Sequence, residues 1–257
     1  MFTHDDCVHM AHALKLAERG KYSAHPNPMV GCVLVSSASV VGEGWHERAG
    51  EPHAEIIALR AAGDKARGAT AYVSLEPCAH QGKTPPCAEA LIEAGVSRVV
   101  AAIEDPFDEV KGRGLEMLQD AGIEVQVGLM QDAAEALNEG FISRVTQGRP
   151  LVRLKIAASI DGATAMASGE SQWITGPEAR HDVQKLRARS GAIMTGVGTV
   201  HADDPSLNVR ATDIDTRGVQ PLRVVLDSRL SMPPTAAMLA LPGDTLVCYT
   251  GDHDGSW

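Results

Sequence analysis

Pro52-His53-Ala54-Glu55, answered downstream by Glu76-Pro77-Cys78 and by Cys87, is the pattern around which the first half of this 257-residue chain is organised. One imidazole and two thiolates fill three positions of a tetrahedral zinc and leave the fourth open for water. A carboxylate two residues after the histidine can then shuttle protons. Residues 54–62 read as a helix opened by His53 and Glu55, where free backbone N–H groups and the helix dipole favour an ionised carboxylate. Thr70 to Leu75 reads as a strand running into Pro77-Cys78, and Cys87 opens a second helix that ends at Gly95. The ligands thus gather at two neighbouring helix N-termini beside a strand end, as expected of an α/β domain.

Upstream, Thr3 and Asp6 have the spacing of a capping box, and Val8, Met10, Ala11, Leu14, Leu16 and Ala17 recur near the helical period up to Gly20. His9 and His12 lie three apart on this helix and, lacking a third ligand, read as surface or packing residues. Pro26-Asn27-Pro28 breaks the pattern, after which residues 30–35 and 40–45 read as a hairpin joined by a Ser-rich turn. Strands over 98–103 and 123–127 then alternate with helices over 114–121 and 132–146. The expectation is a three-layer α/β domain over residues 1–147.

Gln147-Gly148-Arg149-Pro150 ends a helix with Gly and Pro, and a second α/β unit is expected over 150–257. It should begin with a strand over 151–158, turn at Asp161-Gly162, and form a helix over 178–190 with Pro177 at its start. Further strands are expected at 192–195, 222–226 and 245–249. Trp257 follows the last of them with no capping helix, so the second unit reads as incomplete.

The 44% hydrophobic and 22% charged content is that of a globular protein, and with 4% aromatic residues the core must be aliphatic. Thirty-three acidic against 23 basic side chains give a net charge of −10, which disfavours a grip on a phosphate backbone and so a nucleic-acid partner. Five unevenly spread cysteines fit a reducing compartment better than a disulfide framework; Cys7, Cys32 and Cys248 read as packing residues. The N-terminus has no secretory pattern and no apolar run approaches membrane-spanning length, so a cytoplasmic protein is expected.

Zinc lowers the pKa of a bound water to about 7. Glu55 would take that proton and return it to departing ammonia, making the expected reaction the hydrolytic deamination of an amidine-like ring carbon. The pattern resembles the zinc deaminase signature. Two other readings share the motif: a guanine, cytosine or tRNA deaminase, and a non-catalytic protein whose zinc is structural and closed by a fourth ligand, a place His80 could take.

Between the cysteines lie eight residues, Ala79-His80-Gln81-Gly82-Lys83-Thr84-Pro85-Pro86, where nucleoside, nucleobase and tRNA deaminases have two. With Pro26-Asn27-Pro28-x-Val30-Gly31 and Gly42-x-Gly44-Trp45-His46, this closely resembles the deaminase half of the bifunctional riboflavin-biosynthesis deaminase/reductases. The resemblance implies a cytidine-deaminase-like fold with zinc on His53, Cys78 and Cys87, and Glu55 as proton shuttle. It also implies substrate contacts from Asn27, His46, His80 and Lys83. The implied substrate is 2,5-diamino-6-(5-phosphoribosylamino)pyrimidin-4(3H)-one; Lys83, otherwise a solvated loop lysine, would offer its phosphate a point charge.

Past Pro150, Lys155-Ile156-Ala157-Ala158-Ser159-x-Asp161-Gly162, the stretch Ser168 to Gly176, and Gly196-Val197-Gly198-Thr199-Val200-x-Ala202-Asp203-Asp204-Pro205-x-Leu207 are similar to the reductase half, which has a dihydrofolate-reductase-like fold. There NADPH reduces the ribosyl group to ribityl. The resemblance implies that Ala157, Trp173, Thr199, Asp203 and Ser228 line the NADPH site, and that Ser171, Arg187, Leu207 and Arg210 meet the substrate. Members of the family run on into a strand and a Glu-Gly-Gly loop that complete the reductase core, so this chain is expected to deaminate well and reduce weakly or not at all. An open sheet edge would also favour a homo-oligomer.

Overall fold

A computed structural model describes residues 1–79, 86–107 and 110–251. The chain divides into two compact units, Met1–Val152 and Arg153–Trp257.

In the first unit, α1 (His4–Ala17) starts at the expected capping box: the Thr3 N–H donates to Asp6 Oδ2 at 2.8 Å and the Asp6 N–H to Thr3 Oγ1 at 3.1 Å. The hairpin β1 (Gly31–Ser36) and β2 (Ser39–Trp45) follows, then α2 (Ala54–Ala62), β3 (Thr70–Val73), α3 (Cys87–Ala94), β4 (Arg98–Ala101), α4 (Arg113–Asp120) and β5 (Glu124–Val127). The sheet order is β2-β1-β3-β4-β5; β1 runs antiparallel to β2 and β3, and β3, β4 and β5 are parallel.

Both sheet faces are covered, which is why β1 has buried residues at consecutive positions. Cys32 and Leu34 face Ala54, Ala58, Leu91 and Leu118 of α2, α3 and α4. Val33 and Val35 face Met10, Ala13 and Leu14 of α1, with Ala134 and Ile142 behind. The expected helix over 132–146 is two helices, α5 (Gln131–Leu137) and α6 (Glu139–Gln147), broken at Asn138, whose φ of −110° leaves the helical region. The break has a physical reason. The Asn138 amide grips the backbone of Met29, accepting from its N–H at 2.8 Å and donating to its carbonyl at 2.9 Å.

In the second unit, α7 (Pro177–Ala188), β6 (Ala192–Gly196), α8 (Val197–Asp203), β7 (Leu222–Leu226) and β8 (Thr245–Cys248) make a parallel three-stranded sheet, β6-β7-β8. Pro177 stands at the first turn of α7, as expected. Arg223, 1% exposed on β7, holds the turn into β8 by donating to the carbonyls of Leu241, Pro242 and Gly243 and to Thr245 Oγ1. The strand expected over 151–158 is absent. Val152 and Leu154 are more than 80% exposed, and the apolar alternation there finds no strand to pair with among the described residues. No helix among the described residues is long and apolar enough to cross a membrane.

Candidate metal centre and active site

Helix α2 lies almost against β2 because its inner face is Ala54, Ala58 and Ala62 and because β2 offers Gly42 and Gly44. A Cβ at Gly42 would stand 2.2 Å from the Ala58 carbonyl oxygen, and one at Gly44 2.5 Å from that of Ala54. This close approach sets the start of α2, with His53 at its N-cap and Glu55 in its first turn. From the other side, β3 leads through Ser74 and Leu75 into Glu76-Pro77-Cys78, and α3 begins at Cys87. The site therefore sits beyond the carboxyl ends of the parallel strands, where open α/β sheets bind ligands.

His53 Nδ1 lies 3.2 Å from Cys87 Sγ and 3.6 Å from Cys78 Sγ. Zinc–nitrogen and zinc–sulfur bonds of normal length at a tetrahedral angle place such atoms about 3.5 Å apart. The geometry fits the metal, and among the described residues no other group of three or more His, Cys, Asp or Glu residues could hold one. The electrostatics agree. The Cys87 thiol donating to Cys78, together with the nearby imidazole, draws the Cys78 thiol well below the usual thiol range, whereas the hydrogen bond to Cys78 and burial push Cys87 up. His53 is raised, first by its hydrogen bond with Cys78. The Cys87 N–H also points at Cys78 Sγ, at 3.3 Å.

Glu55 is 3% exposed, and burial raises its carboxyl to about 7, with His53 opposing the rise. Its Oε2 is buried without a hydrogen-bond partner among the described residues. A carboxyl at that pKa, held toward the Cys87 thiol and with Oε2 left unpartnered among the described residues, suits a group that takes and returns a proton near neutral pH. Cys32, expected to pack, is fully buried, and burial and the neighbouring Glu55 both push its thiol up, so it stays neutral.

Asn27 and His46 come together at the same mouth, Nδ2 to Nε2 at 3.1 Å, and the His46 ring meets that of His53 edge-on at 5.5 Å. His80 and Lys83 lie outside the described residues. Asn138, which steadies Met29 two residues from Asn27, was not found from sequence: an isolated Asn in a helical stretch carries no signal of a partner 109 positions away.

In the second unit, Thr199 and Asp203 on α8 and Ser228 after β7 all lie past the carboxyl ends of neighbouring parallel strands. Arg187, half-buried, donates to the Asn208 carbonyl at 3.0 Å, and burial and the nearby Arg210 lower its pKa. Leu207 is buried beside them with φ of 45°. Ala157, Ser171 and Trp173 sit on the irregular stretch before α7; Arg180 of that helix donates to the Thr175 carbonyl, and its guanidinium lies 4.5 Å from the Trp173 ring centroid.

The cytidine and deoxycytidylate deaminase zinc-binding region matches residues 3–103, and the RibD C-terminal domain matches residues 150–256. The chain is 55% identical to the riboflavin biosynthesis protein RibD of Escherichia coli (strain K12), over 98% of this chain and 71% of that protein. With RibD of Haemophilus influenzae it shares 57% identity over 91% of this chain and 65% of that one. Among solved structures, Acinetobacter baumannii RibD superposes with a TM-score of 0.92 at 54% identity, covering 96% of this chain and 70% of that one. The Thermotoga maritima diaminohydroxyphosphoribosylaminopyrimidine deaminase/5-amino-6-(5-phosphoribosylamino)uracil reductase gives 0.88 at 37% identity over the same shares. The chain thus spans about two thirds of the length of its relatives, pairing a cytidine-deaminase-like domain with a dihydrofolate-reductase-like one, and it belongs to the RibD family of riboflavin-biosynthesis enzymes.

Proposed function

We propose that residues 1–147 catalyse the hydrolytic deamination of 2,5-diamino-6-(5-phosphoribosylamino)pyrimidin-4(3H)-one, and that residues 150–257 belong to an NADPH-dependent reductase acting on the deaminated product. The observation that carries the first half is the buried Glu55 carboxyl, its Oε2 without a partner among the described residues, beside a His53–Cys78–Cys87 cluster of zinc dimensions. Zinc, held by those three side chains, would supply a water acidic enough to lose its proton at neutral pH. Glu55, with burial holding it near neutrality, accepts that proton and delivers it to the leaving nitrogen. Asn27 and the neutral His46 orient the pyrimidine, and Lys83 and His80 meet its phosphoribosyl arm.

For the second half, Thr199, Asp203, Ser228, Ala157 and Trp173 are proposed to hold NADPH. Arg187 and Arg210, near enough for the Arg210 charge to lower the Arg187 pKa, suit a phosphate, with Ser171 and Leu207 beside it. A homo-oligomer is part of this reading, because among the described residues the outer strands β6 and β8 of the sheet have open edges, and Met194 and Leu246 on them are exposed. A cytoplasmic setting agrees with five unpaired cysteines.

Ammonia release is the test. The phosphoribosylated diaminopyrimidine should be turned over and free guanine and cytosine should not, and Glu55→Gln should retain zinc but lose activity. Deamination of a free base at a comparable kcat/KM would favour the nucleobase deaminases instead. Full activity in Glu55→Gln would remove Glu55 from the reaction.

A further inference from the structure

Glu76 stands two residues before Cys78 and is 3% exposed. A carboxylate so buried has to be matched by donors. Here the donors are backbone N–H groups from one short stretch. Oε2 accepts from Asp105 at 3.0 Å and from Gly112 at 2.9 Å, and Oε1 accepts from Gly114 at 2.9 Å. Gly112 is the N-cap of α4 and Gly114 lies in its first turn, so the negative charge also meets the positive end of that helix. The Glu76 N–H donates in turn to the Ile103 carbonyl at 3.0 Å.

The contact is as tight as backbone allows. A Cβ on Gly114 would fall 1.9 Å from the Pro77 carbonyl oxygen, so only glycine lets α4 close on the residue between Glu76 and Cys78. Downstream, the Cys78 carbonyl accepts from the Ala88 N–H at 3.2 Å. Cys78 is thus pinned between two helix starts, by α4 through Glu76 and by α3 through its own backbone.

We propose that Glu76 is a positioning residue for the metal ligand Cys78: by fastening Glu76-Pro77-Cys78 to the start of α4 it sets where the Cys78 sulfur stands relative to His53 and Cys87. The inference rests on the reading that these three residues hold zinc. An amide cannot replace the carboxylate, because both oxygens already accept and either amide orientation would set an NH2 against an N–H. Asp6, equally buried and bonded to Tyr72 and Arg98, provides the control of a carboxylate that serves the fold alone.

The experiment titrates zinc into the metal-free full chain and records the visible absorption of the cobalt(II)-substituted protein, for wild type, Glu76→Gln, Glu76→Asp and Asp6→Asn. Glu76→Gln is expected to raise the zinc Kd about 10- to 100-fold and to shift the thiolate–cobalt bands, as loss of a group orienting a ligand does. Glu76→Asp, which keeps the charge but is one methylene shorter, should fall between. Asp6→Asn should lose thermal stability with zinc affinity and spectrum unchanged. Wild-type affinity and spectrum in Glu76→Gln, whatever its Tm, would overturn the proposal while leaving the zinc reading intact. Failure of both Glu76 variants to fold would assign the residue to the fold and overturn it too. A wild-type chain that takes up no zinc would overturn the zinc reading, and the proposal with it.

Discussion

The amide of Asn27 lies 3.1 Å from His46 Nε2, while His46 Nδ1 lies 3.2 Å from the Pro52 carbonyl oxygen. A carbonyl only accepts, so Nδ1 carries the proton, Nε2 accepts from Asn27, and the ring is neutral. Burial, the first cause of its lowered pKa, keeps it so. One imidazole therefore joins the loop before β1 to the residue next to His53. Asn27→Ala removes the donor without touching a metal ligand. The expected result is unchanged zinc content and a KM for the phosphoribosylated pyrimidine raised by about 1–3 kcal/mol of lost binding, measured by steady-state ammonia release. A fall in zinc content would instead make the pair a support for His53.

Gly44 sits where α2 touches β2, and an added methyl group would meet Ala54 O at 2.5 Å and Ile57 Cβ at 2.7 Å. Neither the strand nor the helix backbone can yield cheaply. Gly44→Ala should cost about 1–3 kcal/mol of stability by overpacking and, because the helix start must move, should also weaken zinc binding. Gly140 is the control: on α6, with nothing within 4 Å of its would-be Cβ, Gly140→Ala should be stabilising by about 0.5–1 kcal/mol. Thermal melts and zinc titrations of both variants check the pair of outcomes.

The order of elements was legible in residues that speak locally. The box of Thr3 and Asp6, the Pro26–Pro28 break, the strand into Pro77-Cys78 and the cysteine opening α3 each have a cause within a few positions, and each falls where expected. What was not legible depends on partners distant in sequence. Residues 151–158 have strand composition, but a strand needs a neighbour and none pairs with them among the described residues. The break at Asn138 is made by Met29. In the site, ligand types and spacing marked His53, Cys78, Cys87 and Glu55, whereas the burial of Cys32 under Glu55 follows from which face of β1 meets α2.

The ligand thiols should be shielded by metal. Cys78 is half-buried and Cys87 buried, with their sulfurs directed at His53. In a Cys248→Ser background, which removes the exposed thiol, alkylation should be slow until a chelator strips zinc. Cys78 should then react ahead of Cys87, and Cys32, fully buried, should remain last. Mass spectrometry of the labelled peptides reads the order. Equal labelling of Cys78 and Cys87 with and without chelator would mean that neither holds the metal.

Asp6 gives the first unit a two-sided pH dependence. The Arg98 guanidinium, 2.7 Å from Asp6 Oδ1, holds that carboxyl well below the usual carboxylate range, with Thr3 and Tyr72 adding hydrogen bonds. A depressed carboxylate contributes stability that is present above its unfolded pKa near 3.9 and is lost as pH falls toward the folded value. The Tyr72 phenol, which donates to the same carboxylate, is raised by burial and by Asp6 to about 12. Its contribution is present below the unfolded pKa near 10 and is lost as pH rises toward 12. Asp6→Asn should therefore cost about 2 kcal/mol at neutral pH, since Arg98 loses its closest counter-charge. It should also flatten the stability curve below about pH 4 and bring the Tyr72 titration down toward 10. Urea unfolding across pH, with ultraviolet titration of the tyrosines, measures both limbs; a mutant curve parallel to wild type below pH 4 would show that Asp6 is not the acid-sensitive group.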